Sequence, residues 1–381
     1  MSGGSLVPDR ALELRSTVTD QATVELSVVE VDVAAPGPGQ VLVRVEAAPV
    51  NPSDLGALLA GADPGSFSAR SGPSGAPVAS APLGTAAMRA AGSRIGKALV
   101  LGNEGAGTVV AAGSGAAAQA LLGRVVAVAG GAMYSQYRVV DASGCLALPE
   151  GTTPAEGASA FVNPLTALAM VETMRSEGHV ALVHTAAASN LGRMLQRVCL
   201  EDGVALVNVV RSEAQVRVLR DLGAEHVCDS SAERFMDDLI SAIGATGATI
   251  AFDAVAGGSL CSRILTAMEV VAVAGAEPGR YGSAVHKQVY IYGGLDRGPT
   301  ELTRSFGMAW GVGGWLLTPF LARAAPAELD KMRQRVAAGL HTTFASSYGA
   351  TLDLPGALDP AAIASYGRQA TGAKALITPN R

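Results

Sequence analysis

The segment His184-Thr185-Ala186-Ala187-Ala188-Ser189-Asn190-Leu191-Gly192 stands between a short apolar run, Val180 to His184 (VALVH), and a stretch in which Leu191, Met194, Leu195 and Val198 recur at helical spacing. That pattern predicts a buried strand, a bend of small residues and a helix with one apolar face. Ala187, Ser189 and Gly192 occupy the three places that the GxGxxG dinucleotide fingerprint fills with glycine. Two of the three have become other small residues. The bend still offers little side-chain bulk where backbone would meet a diphosphate, and a helix start accepts negative charge. Ala187, Ser189, Asn190, Leu191 and Gly192 are therefore candidate cofactor-binding residues, with Ser189 or Asn190 as helix cap or phosphate donor. A plain strand-to-helix turn favours the same residue types.

The next strand, Ala205 to Val210 (ALVNVV), ends in Arg211 and Ser212. NAD-selective folds place an acid about 20 residues past the glycine turn to hold the ribose 2′-hydroxyl. A guanidinium and a hydroxyl at that place, with Gln215 one turn on, suit a 2′-phosphate instead, so NADP(H) is the expected cofactor. The alternative leaves Arg211 in solvent and gives the ribose to Glu213.

Downstream the cycle repeats: a helix from Glu213 to Leu222, a strand near His226, a helix with Phe235, Leu239 and Ile240, a strand at Thr249 to Phe252, a helix with Leu260, Ile264 and Leu265, and a strand at Val270 to Ala274. Alternation of this kind predicts an α/β fold with a doubly wound parallel sheet. Upstream, Val41 to Glu46, Gly105 to Ala111, Gly123 to Val128 and Ser135 to Val140 read as strands of an antiparallel β domain. Between them Gly61 to Gly96 is rich in Gly, Pro, Ser and Ala, with a short helix near Ala86, and reads as an extended surface excursion or lid. Lys331 to Leu340 and the strand-like Lys374 to Ile377 return to a mixed pattern that packs back on the first domain. The expected division is 1–162, 163–325 and 326–381.

The bulk numbers fit two domains. The chain has 381 residues, 49% hydrophobic and 16% charged, with 46 glycines and 4% aromatics, which excludes a disordered or fibrous protein. A formal charge of −5 and the lack of a Lys/Arg block argue against nucleic acid. No apolar stretch reaches the roughly 18 residues of a membrane span, and the start lacks the order of a signal peptide, so a cytoplasmic place is expected. Cys145, Cys199, Cys228 and Cys261 are scattered, without CxxC spacing or clustered histidines, and read as buried free thiols rather than zinc ligands.

These residues, with further motifs in order, resemble the medium-chain dehydrogenase/reductase superfamily in its branch of zinc-independent quinone oxidoreductases and enoyl-thioester reductases. The motifs are Ala48-Pro49-Val50-Asn51-Pro52-Ser53-Asp54, Gly102-Asn103-Glu104-Gly105-Ala106-Gly107, Val162-Asn163-Pro164-Leu165-Thr166-Ala167, Leu222-Gly223-Ala224, Phe252-Asp253-Ala254-Val255 and Tyr292-Gly293-Gly294. The resemblance implies a GroES-like β domain formed from both ends of the chain, a Rossmann domain inserted in it, and an active site in the cleft between them. Zinc-dependent relatives carry a ligand histidine where Asn103 stands here, so no metal is implied.

The resemblance also implies roles. Asn51 and Thr166 would lie beside the nicotinamide and ribose as catalytic positioning residues; Gly293 and Gly294 would let a loop approach the ring; Lys374, in Thr371-Gly372-Ala373-Lys374, would lean toward the cofactor's phosphates. Simpler readings are a turn residue, a helix cap, a tight turn and a surface charge, in that order. Enoyl-thioester reductases of the family have a tyrosine soon after the NPSD segment, and Leu55 to Phe67 holds none. The expected activity is NADPH-dependent hydride transfer to a quinone or α,β-unsaturated carbonyl, with enoyl-thioester reduction or an NADPH-binding regulatory role as alternatives. A homodimer is expected, with Val289-Tyr290-Ile291-Tyr292, near the edge of the Rossmann sheet, pairing with its counterpart across a two-fold axis and Trp310 and Trp315 covering the contact; a buried edge within one subunit is the alternative.

Overall fold

The computed structural model describes residues 7–72, 76–274, 279–368 and 374–381. Contacts divide the chain into two units, Met1–Val162 with Arg333–Arg381, and Asn163–Met332. The second boundary falls inside the helix Pro326–Ala338, where the expected division placed it at 326.

The strands of the first unit are, in order, β1 (Arg10–Val18), β2 (Thr23–Asp32), β3 (Gln40–Pro49), β4 (Ser68–Ser71), β5 (Pro77–Pro82), β6 (Ala98–Val100), β7 (Glu104–Ala112), β8 (Val125–Ala129), β9 (Tyr137–Asp141) and β10 (Cys145–Ala147). The second unit follows with β11 (Ala181–Thr185), β12 (Ala205–Val210), β13 (His226–Asp229), β14 (Ile250–Asp253), β15 (Ala256–Gly258), β16 (Lys287–Ile291), β17 (Asp296–Thr300) and β18 (Trp310–Gly314). The chain then returns as β19 (Tyr348–Leu352) and β20 (Lys374–Ile377).

Two sheets build the first unit. One has the order β4-β5-β2-β1-β6, the other β10-β8-β7-β3-β20-β19, with β9 also paired to β3. The pairings between named strands within residues 10–147 are antiparallel, and the alternating Val41, Val43 and Val45 of β3 are buried in the core they share with Leu14, Leu26 and Val126. This is a β domain formed from both ends of the chain, as the resemblance implies. The stretch Gly61 to Gly96 is not an excursion or lid: it contributes β4 and β5, and Phe67, Val78, Ala79, Ala81 and Leu83 are buried. Its periodicity is faint because β4 is wholly exposed and β5 buries mainly alanine, whose small side chain reads weakly as a core signal.

The second unit carries a sheet of order β13-β12-β11-β14-β16-β18, every neighbouring pair parallel. That is the Rossmann order, and it reverses between β11 and β14, where such sheets bind ligands. β11 is buried along its length, as expected of a central parallel strand covered on both faces, and Val183, Val207, Phe235, Leu239, Ile264, Leu265 and Val289 fill the core.

Two expectations fail here. Val270 to Ala274 is not a strand; Val270 to Val273 end the helix Leu260–Val273, whose Cys261, Ile264, Leu265 and Met268 keep the helical spacing while Val270 and Val273 stay 42% and 41% exposed. A short β-branched run has no period of its own, and the helix entering it decides. Nor can Val289 to Tyr292 pair with a second copy: the strand lies near the sheet edge, as expected, but β16 is flanked on both sides, by β14 and β18, and among the described residues the edge is β18. Trp315 is buried against Phe252 rather than spread over an edge, and Trp310 packs edge-on against Phe306.

Cys199, Cys228 and Cys261 are buried, Cys145 is half-buried, and none of the four is in a disulfide. Burial pushes the thiols of Cys145 and Cys228 up to about 11 and that of Cys261 up to about 12, which keeps them inert at neutral pH. Among the described residues, no helix is long and apolar enough to cross a membrane.

Candidate functional site

β11 ends at Thr185, and the chain turns sharply. Ala186 takes a left-handed φ of 50°, the Ala187 N–H returns to the Val209 carbonyl at 3.2 Å, and the Ser189 N–H closes on the Ala186 carbonyl at 2.9 Å. Ser189 is the N-cap of the helix Asn190–Asp202, its Oγ accepting the Gly192 N–H at 3.1 Å. A Cβ on Gly192 would lie 2.1 Å from the Ala187 carbonyl oxygen, so glycine is required there. The bend is thus tight, built of side chains no larger than serine up to the helix, and aimed so that a helix start, with its partial positive charge, faces out beyond β11 at the switch point of the sheet. Any side chain at Gly192 would collide with the Ala187 backbone and force the turn open.

The ends of the neighbouring strands are locked by a row of buried polar groups that the sequence reading quoted within its motifs but gave no role. Thr185 Oγ1 donates to Asp253 Oδ1 at 2.7 Å and accepts the Ala254 N–H at 2.8 Å. The Asp253 carboxylate also takes the N–H groups of Val255 and Ala256 at 2.9 and 3.1 Å. His184 Nε2 and the Tyr292 hydroxyl lie 2.7 Å apart with their rings stacked. Burial pushes the imidazole down to about 3, so it is neutral, and raises the Tyr292 hydroxyl. The only forewarning was polar residues at the ends of otherwise apolar strands. A Cβ on Gly293 would meet the Ala254 carbonyl at 2.7 Å, whereas Gly294 has open space, so close packing explains only the first. Beside them a cavity of 760 Å³ is lined by residues including Tyr290, Tyr292, Gly293, Trp315, Phe320 and Arg323.

Past β12, Arg211 is exposed and its backbone N–H donates to Gln215 Oε1 at 3.0 Å, so Gln215 shapes the turn that presents the guanidinium. Ser212 is the N-cap position of the next helix, and Glu213 stands exposed with a long 3.9 Å pairing to Arg217. Thr166 is buried on the helix Val162–Ser176.

In the first unit the structure brings Asn51 and Lys374 together, although they are 323 positions apart. Lys374 Nζ donates to Asn51 Oδ1 at 2.5 Å, and Asn51 Nδ2 donates to Glu104 Oε1 at 2.8 Å. The other Glu104 oxygen accepts the N–H groups of Phe161 and Val162 at 3.0 and 2.8 Å. Asp54, on the helix Pro52–Leu59, accepts the N–H groups of Asn51 and Asn103 at 2.8 Å each. Burial pushes its carboxyl up to about 6 against those bonds. Burial also lowers the Lys374 ammonium, opposed by the charges of Glu104 and Asp54. Lys374 is therefore no surface charge: it is half-buried and tied to Asn51, while Thr371 to Ala373 lie outside the described residues. Asn103 Nδ2 donates to Ser53 Oγ at 3.0 Å, and Tyr134 is wholly buried with its hydroxyl on the Pro49 carbonyl at 3.0 Å. Among the described residues, no group of three or more His, Cys, Asp or Glu could hold a metal ion.

Residues 37–150 match the alcohol dehydrogenase GroES-like domain. The mitochondrial enoyl-[acyl-carrier-protein] reductase of Caenorhabditis elegans is 26% identical over 226 residues, covering 58% of this chain and 57% of that protein. A putative NADPH:quinone reductase from Mesorhizobium loti superposes with a TM-score of 0.71 at 26% identity, over 98% of this chain and 99% of its own. The Escherichia coli quinone oxidoreductase, solved in complex with NADPH, shares the fold with a TM-score of 0.68 at 17% identity, over 97% and 100%. The chain spans little more than half the length, or less, of the first curated relatives it matches.

Proposed function

We propose, from the chain's place in the medium-chain dehydrogenase/reductase superfamily on its zinc-independent quinone oxidoreductase and enoyl reductase branch, that it reduces a quinone or a small α,β-unsaturated carbonyl compound with NADPH. The observation that carries this reading is the small-residue bend, closed by Gly192 onto a helix start at the switch point of a parallel sheet. When bound, the dihydronicotinamide supplies a hydride. The chain's own residues supply position. The small bend of Ala187, Ser189, Asn190, Leu191 and Gly192 gives the diphosphate room against the start and dipole of the helix; Arg211, with Ser212 and the turn set by Gln215, meets the 2′-phosphate; Gly293 and Gly294 keep bulk away from the ring, and Thr166 and Asn51 are the positioning residues.

Calorimetry with NADPH and NADH tests the cofactor, followed by turnover with benzoquinone and with cyclohex-2-enone, with and without chelator. A charge-assisted pair at Arg211 predicts NADPH bound at least about tenfold more tightly than NADH, turnover with one of the acceptors, and no effect of chelator. No heat with either nucleotide would overturn the proposal. The enoyl reductase relative favours a second reading, reduction of an enoyl thioester. The absence of a tyrosine between Leu55 and Phe67 weighs against it, and acceptor preference separates the two.

A further inference from the structure

The cavity of 760 Å³ has the size of a small-molecule site. Every residue that lines it belongs to the stretch Asn163–Met332, so it is a feature of the second unit taken by itself. No residue of the bend from Ala186 to Gly192 lines it, and the diphosphate does not account for it. Its walls are aromatic and held in place. Trp315 is buried, with its indole N–H on Thr173 Oγ1 at 3.2 Å, its ring edge-on to Phe252 at 5.6 Å and tilted to Phe320 at 6.4 Å. Tyr290 also stacks on Phe252, at 5.8 Å, and donates its hydroxyl to Glu177 Oε1 at 2.7 Å. Rings braced in this way lose little freedom when a ligand arrives.

Charge then selects the ligand. Three carboxylates line the cavity, Glu172, Glu177 and Glu328, against one guanidinium, Arg323. Glu172 is paired with Arg175 at 2.7 Å and is largely neutralised. Glu177 holds the Tyr290 hydroxyl, an uncharged donor that leaves its negative charge in place. Glu328, on the helix Pro326–Ala338, makes no side-chain hydrogen bond or ion pair among the described residues. Arg323 is exposed, with Nε on the Pro319 carbonyl of its own helix at 3.2 Å. An anion would be repelled by the two remaining carboxylates, and a neutral ring would leave them without a counter-charge. An ammonium ion is attracted both by them and by the electron-rich ring faces. We propose that this cavity binds an organic ammonium ion, its apolar body against Tyr290, Trp315 and Phe320 and its cationic head balanced by Glu177 and Glu328. The site stands apart from the reductase reading and does not depend on it.

The test uses the full chain and three probes that share a ring and differ in charge: benzyltrimethylammonium, benzyl alcohol and benzoate. Calorimetry on the wild type should find the ammonium bound at least about tenfold more tightly than either of the others. The chain has two tryptophans, so Trp310→Phe leaves Trp315 as the reporter in the cavity wall, and its fluorescence should change saturably with the ammonium. Glu328→Gln should weaken binding about threefold or more, the scale of one charged contact. Leu316→Lys, at a lining residue 65% exposed, should weaken it further by setting a cation at the cavity without disturbing the core. Should Trp310→Phe fail to fold, calorimetry and the two surface variants decide. Equal binding of benzyl alcohol overturns the proposal in favour of a plain aromatic slot, and tighter binding of benzoate overturns it in favour of Arg323. Binding unmoved by both Glu328→Gln and Leu316→Lys puts the cation elsewhere and overturns it. So does the lack of binding by the wild type; a mass on light scattering that falls with Leu316→Lys would then show a second copy covering the cavity. A chain that binds the ammonium but not NADPH keeps this proposal and loses the reductase reading.

Discussion

At the scale of single residues, Gly192 bears most directly on function. Its missing Cβ lets the helix Asn190–Asp202 begin within contact distance of the Ala187 carbonyl, and the Ser189 hydroxyl caps that same glycine's N–H. Gly192→Ala would set a methyl 2.1 Å from that carbonyl oxygen, so backbone must move. The expected cost is about 1–3 kcal/mol in denaturant melts, with NADPH affinity falling at least about tenfold. An unchanged affinity would show that the bend does not shape the nucleotide site. Ala187 and Ser189 were legible as bend residues because small side chains beside a helix start have few other uses. Their partners were not: nothing in the sequence tells Thr185 that Asp253 will lie 2.7 Å away, since they meet only when β11 and β14 pair in parallel.

Between elements, β16 and the helix Leu260–Val273 are joined by a buried ion pair. Lys287 is fully buried, with Nζ 2.5 Å from Glu269 Oε2, and takes further acceptors in Ser283 Oγ and the Val285 carbonyl. Removing one partner leaves the other charge buried. Glu269→Gln should therefore cost about 3–5 kcal/mol in urea unfolding, and the double change Glu269→Met with Lys287→Met should recover much of it. A single-variant loss under about 1 kcal/mol would show that water reaches the lysine. The same helix shows where reading by pattern breaks down. Val270 to Ala274 looks like a strand by composition, but Leu260, Ile264 and Leu265 had already fixed a helical face, and hydrogen bonding continues it through Val273. Conversely β4 and β5 exist because β2 offers them an edge, not because their own residues demand extension.

For the molecule as a whole, Asp54 links buried chemistry to global stability. Its carboxyl is pushed from 3.8 up to about 6 by burial, so the native state holds the proton more firmly than the unfolded chain. The stabilisation is fully present below pH 3.8 and is lost as pH rises through about 6. At 1.36 kcal/mol for each pH unit, the change is about 3 kcal/mol. The stability difference between wild type and Asp54→Asn should accordingly move against the wild type by about that amount between pH 4 and 7, read from urea melts across the range; a flat difference would mean the carboxyl titrates normally. By itself the sequence determined the alternation of strands and helices, hence the Rossmann unit, and the position of its small-residue bend, because backbone hydrogen bonding and side-chain period act over a few neighbouring residues. Tertiary structure alone decided that Lys374 meets Asn51, that β18 rather than β16 forms the sheet edge, and that the Gly61 to Gly96 stretch supplies strands. Those outcomes depend on which distant segments exclude water together, and that is a property of the folded chain, not of any window along it.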